Sequence, residues 1–248
     1  MANLLRTSNP ALSPKAFQGA VAAGEAMTLQ GTVNKTGILL ILTAASAAWT
    51  WERFVHAGAQ AVMPLLIAGA IGGFIVALVT IFKKEWSPVT APIYALLEGL
   101  VLGTVSAALE ASAPGIAIQA VSLTFGTLVV LLVAYASRII PVTQKFRLGV
   151  VAATGGIALV YLGTLILGFF GVHTWSIYGS GAIGIAFSGF VVLIAALNLV
   201  FDFDFIENAT HAGVPKYMEW YAAFGLMVTL IWLYLEILRL LVKLRGRR

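Results

Sequence analysis

Seven continuous apolar runs, most of them close to 20 residues long, constrain this chain more than any motif in it. A helix needs about 20 apolar residues to cross a hydrocarbon core roughly 30 Å thick. In lipid every backbone N–H and C=O must find an internal partner, which leaves helices or a closed barrel. A barrel would alternate apolar and polar residues over segments of about ten. These runs do not alternate, so the expected class is all-α, a polytopic membrane protein of seven transmembrane helices. Composition agrees: 60% of the 248 residues are hydrophobic and 10% charged, against about 25% charged in a soluble domain.

The spans are expected at about 36–51, 61–82, 92–109, 116–136, 148–170, 178–206 and 217–241. Trp49 and Trp51 suit an interface at the end of the short first span. Lys83-Lys84-Glu85-Trp86-Ser87-Pro88 and His211-Ala212-Gly213-Val214-Pro215 carry turn chemistry. Residues 1–32, with Asn9-Pro10 and Ser13-Pro14, read as a cytoplasmic leader, 33–242 as the membrane domain and 243–248 as a basic tail at headgroups or in solvent. The Gly99-x-x-x-Gly103 spacing is a helix-packing signal.

With the N-terminus inside, the inner segments hold Arg6, Lys15, Lys35, Lys83, Lys84, Arg138, Lys145, Arg147 and Lys216, and the outer loops hold only Arg53. That is a positive-inside pattern. Seven crossings then place the basic tail outside; a re-entrant last span would return it inside. The net charge of +5 lies in loops and tail and suits lipid headgroups rather than nucleic acid. With no cysteine, thiolate metal sites and disulfides are excluded.

The informative residues are carboxylates within or beside apolar runs. An ionisable group on a membrane helix costs roughly 2.5–3.5 kcal/mol on insertion scales and marks function by default. Asp202 and Asp204 lie in Leu199-Val200-Phe201-Asp202-Phe203-Asp204-Phe205; two positions apart, they point in nearly opposite directions on a helix. Glu98 is on the third span, where it bonds a neighbouring helix or lines a vestibule with Asp202. Glu219, beside Trp220 and Tyr221, suits the interface. Glu236 has Arg239 and Lys243 three and seven positions on as partners near the opposite surface. The lone histidines His173 and His211 give no metal-ligand pattern.

Glu98-Gly99-Leu100-Val101-Leu102-Gly103, the aspartates ending the sixth span and the Leu/Tyr-rich last span resemble the Bax inhibitor-1 (transmembrane Bax inhibitor motif) family. Asn9-Pro10-Ala11-Leu12 and Gly24-Glu25-Ala26-Met27-Thr28 resemble its bacterial YccA-type members. The resemblance implies seven helices with the last one central, a bacterial inner membrane, and a pH-sensitive calcium leak. It implies a latch in which a sixth-span carboxylate shares a hydrogen bond with one on the seventh. Asp202, with Ile206 four residues on, matches the former. For the latter, Leu233-Tyr234-Leu235-Glu236 matches locally, whereas anchoring on Leu238-Arg239-Leu240-Leu241 selects Thr229. A turn centred near Gly213 puts Asp202 level with about Phe224. Glu219 and Thr229 are then roughly 7–8 Å of rise away and Glu236 about 18 Å. The partner of Asp202 stays open among Glu219, Thr229 and Glu236, with Asp204 a further candidate to share its proton.

Two functions follow. One is a cation leak, with calcium as the transported ion and Asp202 its best contact, since hard cations take oxygen ligands. The resemblance also implies regulation of a membrane-bound protease, with the leader as the contact. No enzyme is expected: His-Glu-x-x-His, Gly-x-Ser-x-Gly and Gly-x-Gly-Asp are absent from the sequence. No cofactor is expected either, and the surrounding partner is membrane lipid.

Overall fold

The computed structural model describes residues 25–140, 142–171 and 179–246. Most of the leader, and His173, lie outside the described residues. Among the described residues six helices are long and apolar enough to cross a membrane. They are α1 (Leu29–Phe82), α2 (Ser87–Ser112), α3 (Ile116–Ala136), α4 (Gln144–Phe169), α5 (Ala182–His211) and α6 (Met218–Arg245). A 3-10 turn, Lys84–Trp86, joins α1 to α2.

The count of six rather than seven comes from α1, which has 54 residues. Straight, it would run about 81 Å, more than twice a hydrocarbon core. It is not straight: Gly58 has φ 78° and ψ 176°, non-helical values inside the run. The arms on either side flank one stretch of α2. From the first, Thr43 Oγ1 donates to Ala95 O (3.1 Å) and Ser46 Oγ to Leu96 O (2.7 Å). From the second, a Cβ on Gly69 would stand 2.7 Å from Leu97 O and 2.9 Å from Val101 Cγ2. The chain therefore doubles back at Gly58.

The close approach also explains the Gly99-x-x-x-Gly103 spacing. A Cβ at Gly99 would stand 2.5 Å from Thr43 O, and one at Gly103 would collide with the Ala47 backbone. These glycines pack the first arm of α1 onto α2 within one chain.

Helix α6 is the hub. It packs against α1, α2, α3 and α5, and Tyr161 of α4 reaches its Glu236. The core clusters along it, around Tyr221, Phe224, Met227 and Leu233, all fully buried. A smaller cluster, Val150, Ile157, Val191, Ile194 and Phe201, joins α4 to α5. Many side chains on the outer faces are apolar and exposed, for example Ile41, Phe74, Val130 and Leu159, as lipid contact requires.

Only α3 keeps both expected limits; the other helices differ at one or both ends, α2 starting at Ser87, α4 at Gln144 and α5 ending at His211. Helix α1 starts at Leu29, inside the segment read as leader, because Thr28 caps it: its side chain accepts from Gly31 N at 2.9 Å. Helix α6 runs to Arg245, three residues into the segment read as tail.

Candidate functional site

The expected site residues divide between the two ends and the middle of α6. At its N-terminal end Glu219 is fully buried. One carboxylate oxygen accepts from Thr28 N and Thr28 Oγ1 (both 2.9 Å); the other is ion-paired with Lys35 Nζ. That ammonium also lies 5.6 Å from the Trp220 ring centroid. Gly31 makes room, since a Cβ there would overlap the carboxylate. Glu219 thus occupies the interfacial first turn of α6, yet is enclosed rather than solvated.

A short strap holds this arrangement. Ala26 and Pro215 form an isolated antiparallel bridge, with Met27 N donating to Val214 O (2.7 Å) and Lys216 N to Glu25 O (3.0 Å). Glu25 and Lys216 also form an exposed ion pair. The hydrogen bond and charge of Lys216 lower the Glu25 carboxyl from its ordinary value, and Glu25 in turn raises the Lys216 ammonium. Met27 is buried beneath.

Around the same end two more ion pairs join neighbouring helices. Asp204 of α5 pairs with Arg147 in the first turn of α4. Glu207 pairs with Arg138 and accepts from the Tyr135 hydroxyl. Glu207 holds the Arg138 guanidinium above its ordinary value. Asp204 is therefore engaged with α4.

Asp202 lies deeper on α5 and is fully buried. Its face follows from Ser188, whose hydroxyl accepts from Lys243 Nζ of α6 at 2.8 Å. Asp202 is fourteen positions on, about four helical turns, so it shares that face toward α6. Lys243 also donates to Gly184 O at 3.1 Å, which fixes the antiparallel register. Asp202 then stands level with about residue 227. Thr229 is the nearest of the three candidate partners, while Glu219 and Glu236 lie roughly 12–14 Å along the axis in opposite directions. The level is about one turn further along α6 than a turn centred at Gly213 suggests. Thr229 is buried, and its hydroxyl donates to Gly225 O at 3.5 Å.

At the far end Glu236 is buried and accepts from Tyr161 Oη (2.9 Å) and from Arg239 Nη1 (2.9 and 3.1 Å). Of its two expected basic partners it takes Arg239. Lys243, expected at headgroups or in solvent, is buried against α5 instead. The change follows from helix continuation: α6 does not stop at Leu241, so Lys243 stays on its packed face. Arg245 closes the end by donating to Pro114 O (2.7 Å).

Glu98 is half-buried over the second arm of α1, where a Cβ on Gly73 would stand 3.1 Å from its Oε1. Helices α2 and α5 each pack on α6 and hardly on each other, so the structure does not bring Glu98 and Asp202 together. Among the described residues no three of His, Asp and Glu converge as a metal site would require. His211 lies exposed, 3.9 Å from Glu207.

An all-helical bundle around its last helix, with acidic groups enclosed along that helix, is the arrangement in which the sequence comparison takes on meaning. The family model described as Bax inhibitor 1 like matches residues 9–246. The chain belongs to that family. No curated protein matches it. The match covers nearly the whole chain, including every described helix. The Lys35, Thr28, Arg147 and Tyr161 partners were not singled out in the sequence. Lys35 and Arg147 did carry a signal: each is a cation within two turns of a helix start.

Proposed function

We propose that this Bax inhibitor 1 like protein is a pH-sensitive cation leak, with calcium the transported ion and Asp202 its switch. The carrying observation is the position of Asp202: fully buried on the α6-facing side of α5, about midway between Glu219 and Glu236. A carboxylic acid at that depth is expensive unless it has work to do. In this reading the enclosure of Glu219 by Lys35 and Thr28, and of Glu236 by Arg239 and Tyr161, is the closed state of the two ends. A cavity of about 180 Å³, mostly apolar with Thr43, Ser106, Thr124 and Tyr234 on its walls, lies against α6 on the side of α1, α2 and α3. Opening requires a helix packing with two arrangements, biased by the charge on Asp202. The two end carboxylates, Glu219 and Glu236, supply further oxygen and charge.

In this reading the two arms of α1 are separate crossings, so the chain crosses seven times, with six crossings around α6. The N-terminus is cytoplasmic, as the basic residues at the strap end support, and the membrane is a bacterial inner membrane, as the resemblance to YccA-type members implies.

The test is calcium entry into liposomes carrying the purified protein, from about pH 5.5 to 8.5, the range a shared carboxyl proton can cover. Flux above empty liposomes, with its pH dependence removed by Asp202→Asn, is the expected result. Equal flux and equal pH response in the variant would remove Asp202 from the mechanism.

A second reading, regulation of a membrane-bound protease through the leader, is favoured by the strap. A partner drawing on the leader pulls through residues 25–28, which hold Glu219. Deleting residues 1–24 then abolishes regulation while leaving calcium flux intact.

A further inference from the structure

A groove of about 460 Å³ opens between the first arm of α1 and α3, two elements that barely touch. Its floor is buried and apolar: Phe203 and Ile206 from α5 and Leu226 from α6. Its rims carry Val33 and Leu132, 55% and 47% exposed. A volume of this size with an apolar lining and a few polar groups at one point is typical of small-ligand sites. In a membrane-spanning bundle it opens sideways to lipid.

The polar groups are all at one end, just past the C-terminus of α3, where a helix meets the headgroups. Arg138 is the chief of them, its side chain 70% exposed. Glu207 takes one of its donors; a guanidinium has five. Its carbon lies 5.6 Å from the Tyr135 ring, whose hydroxyl donates to Glu207. The backbone is informative too. Arg138 has φ 56°, and Ile139 N closes the helix by donating to Ala134 O at 3.0 Å. Glycine normally occupies that left-handed position. The arginine side chain supplies something glycine lacks.

We propose that this groove binds one phosphatidylethanolamine-type lipid. An acyl chain lies on Phe203, Ile206 and Leu226. The phosphodiester takes the remaining donors of Arg138, and the headgroup ammonium sits against the Glu207 carboxylate. The choice of lipid follows from the mouth, which presents a cation and an anion side by side. The Arg138–Glu207 pair is itself neutral, so a glycerol lipid would add an unmatched negative charge at the mouth, and a trimethylammonium offers Glu207 no hydrogen-bond donor. Arginine suits phosphate as a planar, multidentate donor. The site stands whether or not ions cross the bundle.

The experiment is native mass spectrometry of the delipidated full-length protein in detergent, with phosphatidylethanolamine, phosphatidylglycerol and phosphatidylcholine of matched chains added at equal concentration. One ethanolamine lipid per chain is expected, preferred by roughly fivefold or more over each competitor. Arg138→Gly, which suits the backbone at that position, should cut retention by a similar factor without lowering the thermal midpoint. Leu132→Trp, which narrows the groove from its exposed rim, should do the same independently of charge. No retained lipid, retention indifferent to both variants, or equal retention of the glycerol lipid would each overturn the assignment.

Discussion

At the scale of single residues, the acids on α6 show how a membrane bundle tolerates charge. Glu219 is buried yet has every oxygen engaged, by an ammonium, a hydroxyl and a backbone N–H. Removing one partner of a buried pair leaves the other charge uncompensated, at about 3–5 kcal/mol. Glu219→Gln should therefore lower stability by about 3 kcal/mol, read as the thermal midpoint in detergent. Adding Lys35→Met should return much of the loss, because it removes the stranded cation. An unchanged midpoint in the single variant would mean the pair contributes nothing net. The exposed Glu25–Lys216 pair behaves differently. Glu25 is held below its ordinary value, so its contribution is present above the unfolded carboxyl value and lost as pH falls through the lowered one. Lys216 is raised, so its contribution is present below the unfolded ammonium value and lost as pH rises through the raised one. Protection of the Met27 amide, corrected for intrinsic exchange, should thus stay level across the neutral range and fall only in acid below the ordinary carboxyl range or in alkali above the ordinary ammonium range. The Glu25–Lys216 pair is then no sensor of neutral pH.

At the scale of elements, α1 carries the main structural decision. The backbone at Gly58, φ 78° and ψ 176°, falls in a region that only glycine enters readily. Gly58→Ala should cost about 1–3 kcal/mol, with no steric contribution, since nothing lies within 4 Å of the added Cβ. A variant as stable as the parent would mean the two arms reverse by another route. The Gly99 and Gly103 contacts have the opposite origin. There helix backbones crowd the position, and the glycines are kept for space.

At the scale of the whole molecule, the two ends of the bundle are chemically distinct. The strap, Lys35, Arg138 and Arg147 share the end where α6 begins. Arg245, bonded to Pro114 O, and Glu236 mark the other. Because the sequence has no cysteine, a single introduced one reports cleanly on sidedness. Ser137→Cys and Ala113→Cys lie at the two ends of α3. In intact, sealed cells an impermeant maleimide should label Ala113→Cys and spare Ser137→Cys, with both labelled after permeabilisation. The reverse pattern would invert the orientation that the basic residues imply.

The apolar runs alone determined the helices, and the limits expected for α3 agree with the structure residue for residue. The reason is the solvent: in lipid a run of this length has almost no alternative to a helix. The acidic positions were legible for the same reason, because a carboxylate in an apolar run stands out. Their partners were not. Lys35 and Glu219 are far apart in sequence, as are Tyr161 and Glu236, and no local pattern encodes such pairing. Lys243 read as tail because a basic C-terminal residue ordinarily stays in water; burial follows from the continuation of α6 and the carbonyl and hydroxyl that α5 offers it. The register that sets Asp202 level with about residue 227 likewise depends on how α5 and α6 slide past each other. That is set by packing along the whole interface, so only the tertiary structure could decide it.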